Sequence, residues 1–345
     1  MKFSLFVHME RTDPVKPHAQ LFDELNELVL IAEQAGFAAA WIGEHHGMEF
    51  TIAPNPFINL AYLGARTSII RLGTGTVIAP FWHPIRLAGE AAMTDIATGG
   101  RLDLGLARGA YSFEYERLMP GLDAWGAGQR LREMIPAIRG LWEGDYVHAG
   151  EFWNFPKTTS APKPVQKPHP PIWVAARDPN SHAFAVASGC NVQVTPLASG
   201  DGEIASLMQR FNAACEANTQ VARPKIMLLQ HTFVGGSTAE VDRLARDLSV
   251  FYCTFGAWFQ NKRPIRQGFI DPLSTDEMAG MTNYAPEVIA KNLVIGKPDE
   301  VVKRLKGYEA LGYDQYSVWI DSGLSHDRKK KSLELFSRQV MPAFS

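Results

Sequence analysis

The sequence predicts an α/β fold: one (β/α)8 TIM barrel spanning residues 1–345, with a hairpin inserted after the fourth helix and a long lid after the seventh strand. Three observations predict it. Short apolar runs alternate with helix-period segments along the chain, the rhythm of βα units around a parallel sheet. Eight strand candidates can be counted. One of them, Phe37–Gly43, ends abruptly in Glu44, His45 and His46, and in closed βα barrels the carboxyl ends of the strands form the active site.

Phe3–His8 is the first apolar strand, and a polar loop with Pro14 and Pro17 follows it. Phe22, Leu25, Leu28, Val29 and Ala32 recur at helical spacing from about Leu21 to Gln34, and Gly36 stops that helix. Strand two, Phe37–Gly43, leads through a loop into a small-residue helix over 56–65. Arg71–Pro80 is strand three. Pro84, at a tolerated first-turn position, opens a helix that Gly99 and Gly100 end. Arg101–Arg108 is strand four, apolar enough to be buried on both faces. A helix over 129–142, a hairpin excursion Tyr146–Phe155 and a proline-dense link over 156–171 come next. The link has the composition of a domain boundary, but the βα rhythm resumes at once. Strand five is Ile172–Ala176, strand six Asn191–Thr195 and strand seven Lys225–Val234, with helices over 180–188, 203–217 and from about Ala239.

From Gly256 to Ala285 the pattern dissolves among Lys262, Arg263, Arg266 and Asp271. Structureless runs of that length in compact domains are lids, binding loops or disorder, and 256–285 is read as one of these. A helix over 298–311, strand eight Tyr316–Asp321 and a last helix Arg328–Val340 complete the count.

Composition narrows the function classes. The chain is 46% hydrophobic and 20% charged, ordinary values with ample material for a core. A formal net charge of -2 gives no global field toward nucleic acid or an anionic membrane. Cys190, Cys215 and Cys253 have no paired or metal-ligand spacing, which fits a reducing compartment. No apolar run reaches the ~18 residues of a membrane span, and the strand-like start is no signal peptide. A cytoplasmic protein without nucleic-acid or membrane partners is expected.

The histidine pair is the first candidate for chemistry. Successive strand residues face opposite ways, so His45 and His46 do not share one ion, and no His-x-His exists; no metal is expected. The pair reads either as a strand end with one solvent-facing and one packing histidine, or as a general acid/base or hydrogen-bond donor at the barrel mouth. Arg108, ending strand four, is either a structural cation paired with a carboxylate or an anion receptor whose planar fork suits phosphate. Arg130 offers a second cation. The turn Arg177-Asp178-Pro179-Asn180-Ser181 opens a helix whose free amides suit a phosphate, though Asp178 and Ser181 are equally plain capping residues. Gly73-Thr74-Gly75-Thr76 interrupts a buried strand, marking a bulge or a close ligand approach. Trp41, Phe57, Phe81, Trp82, Tyr111, Phe113 and Trp258 are candidates for an apolar pocket.

An ordered set of motifs runs nearly end to end: Glu44-His45-His46, Asn55-Pro56, Arg71-Leu-Gly-Thr-Gly-Thr76, His83-Pro84-Ile85-Arg86, Gly99-Gly100-Arg101-Leu-Asp-Leu-Gly-Leu-Ala-Arg-Gly109, Pro171-Ile-Trp-Val-Ala-Ala176 and Val294-Ile-Gly-Lys-Pro-Asp-Glu300. In this set the chain resembles the bacterial luciferase-like flavin monooxygenases, and the luciferase α-type chain most closely. The resemblance implies the same barrel. It places the family's catalytic histidine on His45, with Glu44 orienting it or holding a backbone amide. The flavin-phosphate arginine falls on Arg108, a second on Arg130, and the contacts after strand five on Asp178 and Ser181. A non-proline cis peptide behind the flavin ring falls near Gly75-Thr76, and the stretch 256–285 matches the family's mobile lid. Two departures stand out: Ala107 replaces a reactive cysteine beside the flavin, and Arg177 replaces a carboxylate, so light emission is not implied.

The implied activity is a two-component monooxygenase. A separate flavin reductase supplies FMN as FMNH2, O2 is activated as a flavin hydroperoxide, and one oxygen enters a small organic substrate whose identity is not legible. A deazaflavin- or flavin-dependent dehydrogenase or reductase of the same fold, and a non-catalytic flavin-binding relative, stay open. A homodimer is expected by resemblance and from the small-residue face of Ala61, Gly64 and Ala65 with Ala88, Gly89, Ala91 and Ala92.

Overall fold

The structure is a computed structural model that describes residues 1–344. Eight strands form the barrel: β1 (Lys2–Val7), β2 (Ala39–Ile42), β3 (Arg71–Thr74), β4 (Leu102–Ala107), β5 (Ile172–Ala175), β6 (Asn191–Val194), β7 (Ile226–Val234) and β8 (Gln315–Trp319). Each pairs in parallel with the next in chain order. β8 pairs with β1 and closes the ring. All eight expected strands are therefore present, and in the expected order.

Helices between the strands cover the outside: α1 (His18–Gln34), α2 (Pro56–Gly64), α3 (Pro84–Ala97), α4 (Ser112–Leu118), α5 (Ala124–Glu143), α6 (Pro179–Ala187), α7 (Gly200–Glu216), α8 (Thr238–Gln260), α9 (Pro298–Leu311) and α10 (His326–Leu335). Among the described residues no helix is long and apolar enough to cross a membrane.

The two-residue period of the strands sorts side chains between helices and barrel interior. On β4, Leu102, Leu104 and Leu106 pack outward, while Asp103, Gly105 and Ala107 face the axis. Register then stacks the inward positions. Trp41 lies level with Gly73, and a Cβ on that glycine would sit 2.2 Å from the indole. Trp41 and Trp173 meet edge-on at 5.4 Å and plug the barrel. Above this plug the carboxyl ends of the strands stay open.

Three expectations need correction. The segment 256–285 is not structureless. The apolar face of α8 continues through Phe255 and Trp258, so the helix runs to Gln260, and Asn261 caps it at φ 47°. A short hairpin follows, Ile265–Arg266 against Phe269–Ile270, then a helix over Thr275–Gly280 with its own capping box. Likewise α5 begins at Ala124 rather than near Gln129, because Asp123 accepts the Gly126 amide at 2.7 Å and starts it earlier. Finally, Ala88, Ala91 and Ala92 are fully buried within the chain, where the carbonyl of Ala88 takes the Trp142 indole N–H at 2.9 Å. The exposed side of α2 and α3 carries larger groups instead, such as Ile58, 66% exposed, and Met93, 59% exposed.

Candidate active site

A cavity of about 880 Å³ occupies the barrel mouth. Small-molecule sites span about 300–1,000 Å³, so there is room for a large cofactor with a small substrate. His45, Glu44, Gly75, Thr76, Ala107, Arg108, Asp178 and Ser181 all line it. Arg130 does not: its guanidinium lies over the rings of Phe152 and Trp153 at 4.5 and 5.8 Å, against the inserted hairpin. Arg132, two residues further along α5, lines the cavity instead. Of the aromatic candidates only Tyr111 is on the wall; Trp41 is the plug below.

One end of the cavity is cationic. Arg108 donates to the carbonyl of Ala124 at 3.0 Å and Arg132 to that of Asn180 at 3.3 Å. Arg177 stands beside them on the wall. No carboxylate pairs with any of the three among the described residues, so their charge is free for an anion. The N-terminus of α6 points at the same place. Asp178 caps it by accepting the Ser181 amide at 3.0 Å. Modest burial opposes that charge, but the hydrogen bonds from Ser181 and Asn180 prevail and hold the Asp178 carboxyl below its usual range.

The other end is buried. β2 delivers Glu44 and His45 to it. Glu44 accepts the Ile78 amide at 2.9 Å and the Trp82 indole N–H at 3.0 Å, and meets His46 Nε2 at 2.7 Å. Burial works against a charged His46, but the Glu44 carboxylate outweighs it and holds that ring's pKa up. His45 turns the opposite way, into the cavity. Its Nδ1 lies 2.9 Å from Glu114 Oε2, and Glu114 Oε1 accepts the His46 amide at 2.8 Å. With Glu114 accepting, His45 Nδ1 carries the hydrogen and donates, which leaves the Nε2 lone pair for the cavity.

Glu114 sits on α4, a seven-residue helix that the sequence reading missed. His8 and Glu10 were missed too. His8 ends the inward row of β1 and its ring meets that of His45 edge-on, centroids 5.0 Å apart. Behind it His231 is fully buried. Its Nε2 faces the Asp321 carbonyl at 2.9 Å and must donate, so Nδ1 accepts from the Tyr252 hydroxyl at 2.8 Å. Burial pushes the His231 pKa down to about 3, with the Asp321 carbonyl opposing. Above the dyad, Phe259 from the last turn of α8 stacks on Tyr111 at 4.7 Å.

The arrangement fits a flavin mononucleotide. The unpaired arginines and the α6 N-terminus suit its phosphate. Gly75 and Ala107 leave a wall without bulk. The cis peptide Gly75-Thr76 lies on that wall. Gln193, also lining the cavity, has a buried side-chain N–H group with no protein partner among the described residues, the kind of orphan donor that a polar ring edge satisfies.

Comparison with known proteins follows the same line. The family model described as luciferase-like monooxygenase matches residues 1–315. The oxygenase component of the flavin-dependent trigonelline monooxygenase of Acinetobacter baylyi is 64% identical over 345 residues, all of this chain and 96% of the relative. The alkanal monooxygenase alpha chain of the Kryptophanaron alfredi symbiont is 27% identical, covering 99% of this chain and 98% of its own. Among solved structures, the monooxygenase RslO1 of Streptomyces bottropensis superposes with a TM-score of 0.82 at 25% identity over the full length of both chains.

Proposed function

The chain belongs to the luciferase-like monooxygenase family and is a flavin-dependent monooxygenase; on that premise we propose that it is the oxygenase component of a two-component system, taking reduced FMN from a separate flavin reductase and placing one atom of O2 in an N-methylated pyridine carboxylate. The observation that carries this reading is one cavity with a cationic end and a buried His45–Glu114 end. Arg108, Arg132 and the α6 N-terminus, with Asp178 and Ser181 shaping it, anchor the phosphate. Gly75, Thr76 and Ala107 form the wall for the ring.

Reduced FMN, when bound, supplies the electrons that activate O2. The rest falls to the chain. His45, seated by Glu114, holds or moves a proton at Nε2, an effect typically worth about 10²–10⁴ in rate. Glu44 fixes the strand end that presents it. Phe259 on Tyr111 covers the buried end, and the segment 256–285 acts as the lid that excludes water. The substrate class follows the 64% identical relative, whose name specifies trigonelline. A flat N-methylpyridinium cation suits walls of Tyr111, Phe255, Phe259 and Trp319, since cations within ~6 Å of an aromatic face are attracted to it.

The test is turnover of trigonelline with reductase and FMN under ¹⁸O₂. One labelled oxygen per product molecule is expected; a product without label would sink the monooxygenase reading. The proposal includes a homodimer through the exposed apolar side of α2 and α3, where Ile58, Tyr62, Met93 and Ile96 reach solvent. Light scattering checks it: a wild-type monomer, or an unchanged dimer in the Ile58→Glu, Met93→Glu double variant, would remove that interface.

A further inference from the structure

A second histidine–carboxylate pair faces the same cavity. His8 is 5% exposed and lines the wall. Its Nδ1 lies 3.1 Å from Glu10 Oε1 and 3.0 Å from Thr51 Oγ1, which also lies 3.2 Å from Nε2. Glu10 is 3% exposed; Oε1 also accepts the Trp319 indole N–H at 3.2 Å, while Oε2 has no partner among the described residues. The segment is pinned, because the amides of His8 and Met9 both donate to Asp321 Oδ2, at 2.8 and 3.0 Å. Gly43 makes room for it, since a Cβ there would lie 2.8 Å from His8 Cδ2. Burying such a pair is costly unless it is fully hydrogen-bonded, and this one is not. Its position beside the reacting end gives the cost a purpose.

We propose that His8 is a second proton-handling residue of the oxygenase, seated by Glu10 as His45 is seated by Glu114. The proposal rests on the monooxygenase reading. Burial and then Asp321 push the Glu10 carboxyl well above its usual range, while Lys329 and the Trp319 indole N–H favour the carboxylate; as a carboxylate Glu10 accepts from His8 Nδ1–H, so the Nε2 lone pair accepts one proton from an acidic group or water in the cavity. The imidazolium is balanced by the Glu10 carboxylate and returns the proton when product leaves. The charged and titratable groups facing His8 are Glu10 on its own segment, His45 after β2, His231 on β7, Asp321 after β8 and, behind Glu10, Lys329 of α10. Burial and the two neighbouring histidines all oppose a charged His8, so the ring waits neutral, as a base must.

The experiment has two readouts. Long-range ¹H–¹⁵N spectra of the flavin-free protein should show His8 as the Nδ1–H tautomer, and Glu10→Gln should lose that signature. An Nε2–H tautomer in the wild type overturns the proposal. In turnover, His8→Asn should lower kcat by about 10²-fold, change KM less than about 3-fold and displace the pH profile of kcat/KM. Gly43→Ala keeps the imidazole but shifts it, and should displace the profile in the same direction, which holds the proposal to account even where His8→Asn misfolds. Wild-type kcat and an unaltered profile in either folded variant overturns it. A wild-type enzyme that turns over trigonelline without ¹⁸O incorporation fails the monooxygenase reading instead, while the tautomer result stands apart from that failure.

Discussion

The two ends of the cavity solve opposite problems. The arginine end faces solvent, leaves charges unpaired and relies on helix N-terminal amides. The histidine end is buried, and its ionisable side chains are paired: His45 with Glu114, His8 with Glu10, His231 with Tyr252. An exposed cation is well solvated and keeps its charge until an anion arrives. A buried ionisable group must be held by a partner or stay neutral. The difference teaches that binding and proton chemistry are separable here, so substitutions at one end should leave the other's readout alone.

The largest expected effect breaks the comparison at the buried end. His45→Ala should lower the oxygenation rate by about 10²–10⁴ and leave FMN affinity within about 3-fold. Equal losses in both would mean that the two ends are one unit. Next comes pH. His231 is held at about 3 against an ordinary 6.5, so between those values the unfolded chain binds a proton that the folded chain refuses. Its share of stability is complete above about 6.5 and is lost as pH falls towards 3, by at most about 1.4 kcal/mol per pH unit. Thermal melts at pH 7 and pH 4.5 should show His231→Gln losing less on acidification than the wild type.

The exposed end should respond more weakly. Arg132→Ala should weaken FMN binding about 10- to 100-fold, in line with ~1.5–3 kcal/mol for a charge-assisted hydrogen bond, and titrations at rising salt should shrink the difference. The smallest effect sharpens the contrast. Arg130→Ala should leave FMN affinity unchanged and cost about 1 kcal/mol of stability, because its guanidinium packs on two aromatic rings. A tenfold loss of affinity there would restore it to the phosphate site.

What the sequence disclosed depended on the range of the interaction. The eight strands were legible because apolar runs of four to nine residues carry their own pattern, and the Glu44-His45-His46 strand end stands out within one segment. Glu114 was not, since its bond to His45 joins positions 69 apart through a helix too short to show a period. His8 was read as the last residue of a strand, and nothing local tells that Glu10 folds back onto it. The choice between Arg130 and Arg132 turned on helix phase. Two positions apart are about 200° around the axis at 3.6 residues per turn, so the one that reaches the cavity follows from the start of α5 and its contacts, not from charge. The end of α8 was misjudged because Gly256 and the charges after it masked an apolar face that continues through Trp258.

Gly43 has a consequence for how this protein can vary over descent. The space its missing side chain leaves and the His8 ring share the same few ångströms, although the two residues follow the ends of different strands. Neither position can drift alone. A line that acquires alanine at 43 displaces the ring, and a line that loses the imidazole no longer needs the gap. Positions 8 and 43 should therefore be inherited as a couple, and relatives keeping both should share the chemistry that the couple serves.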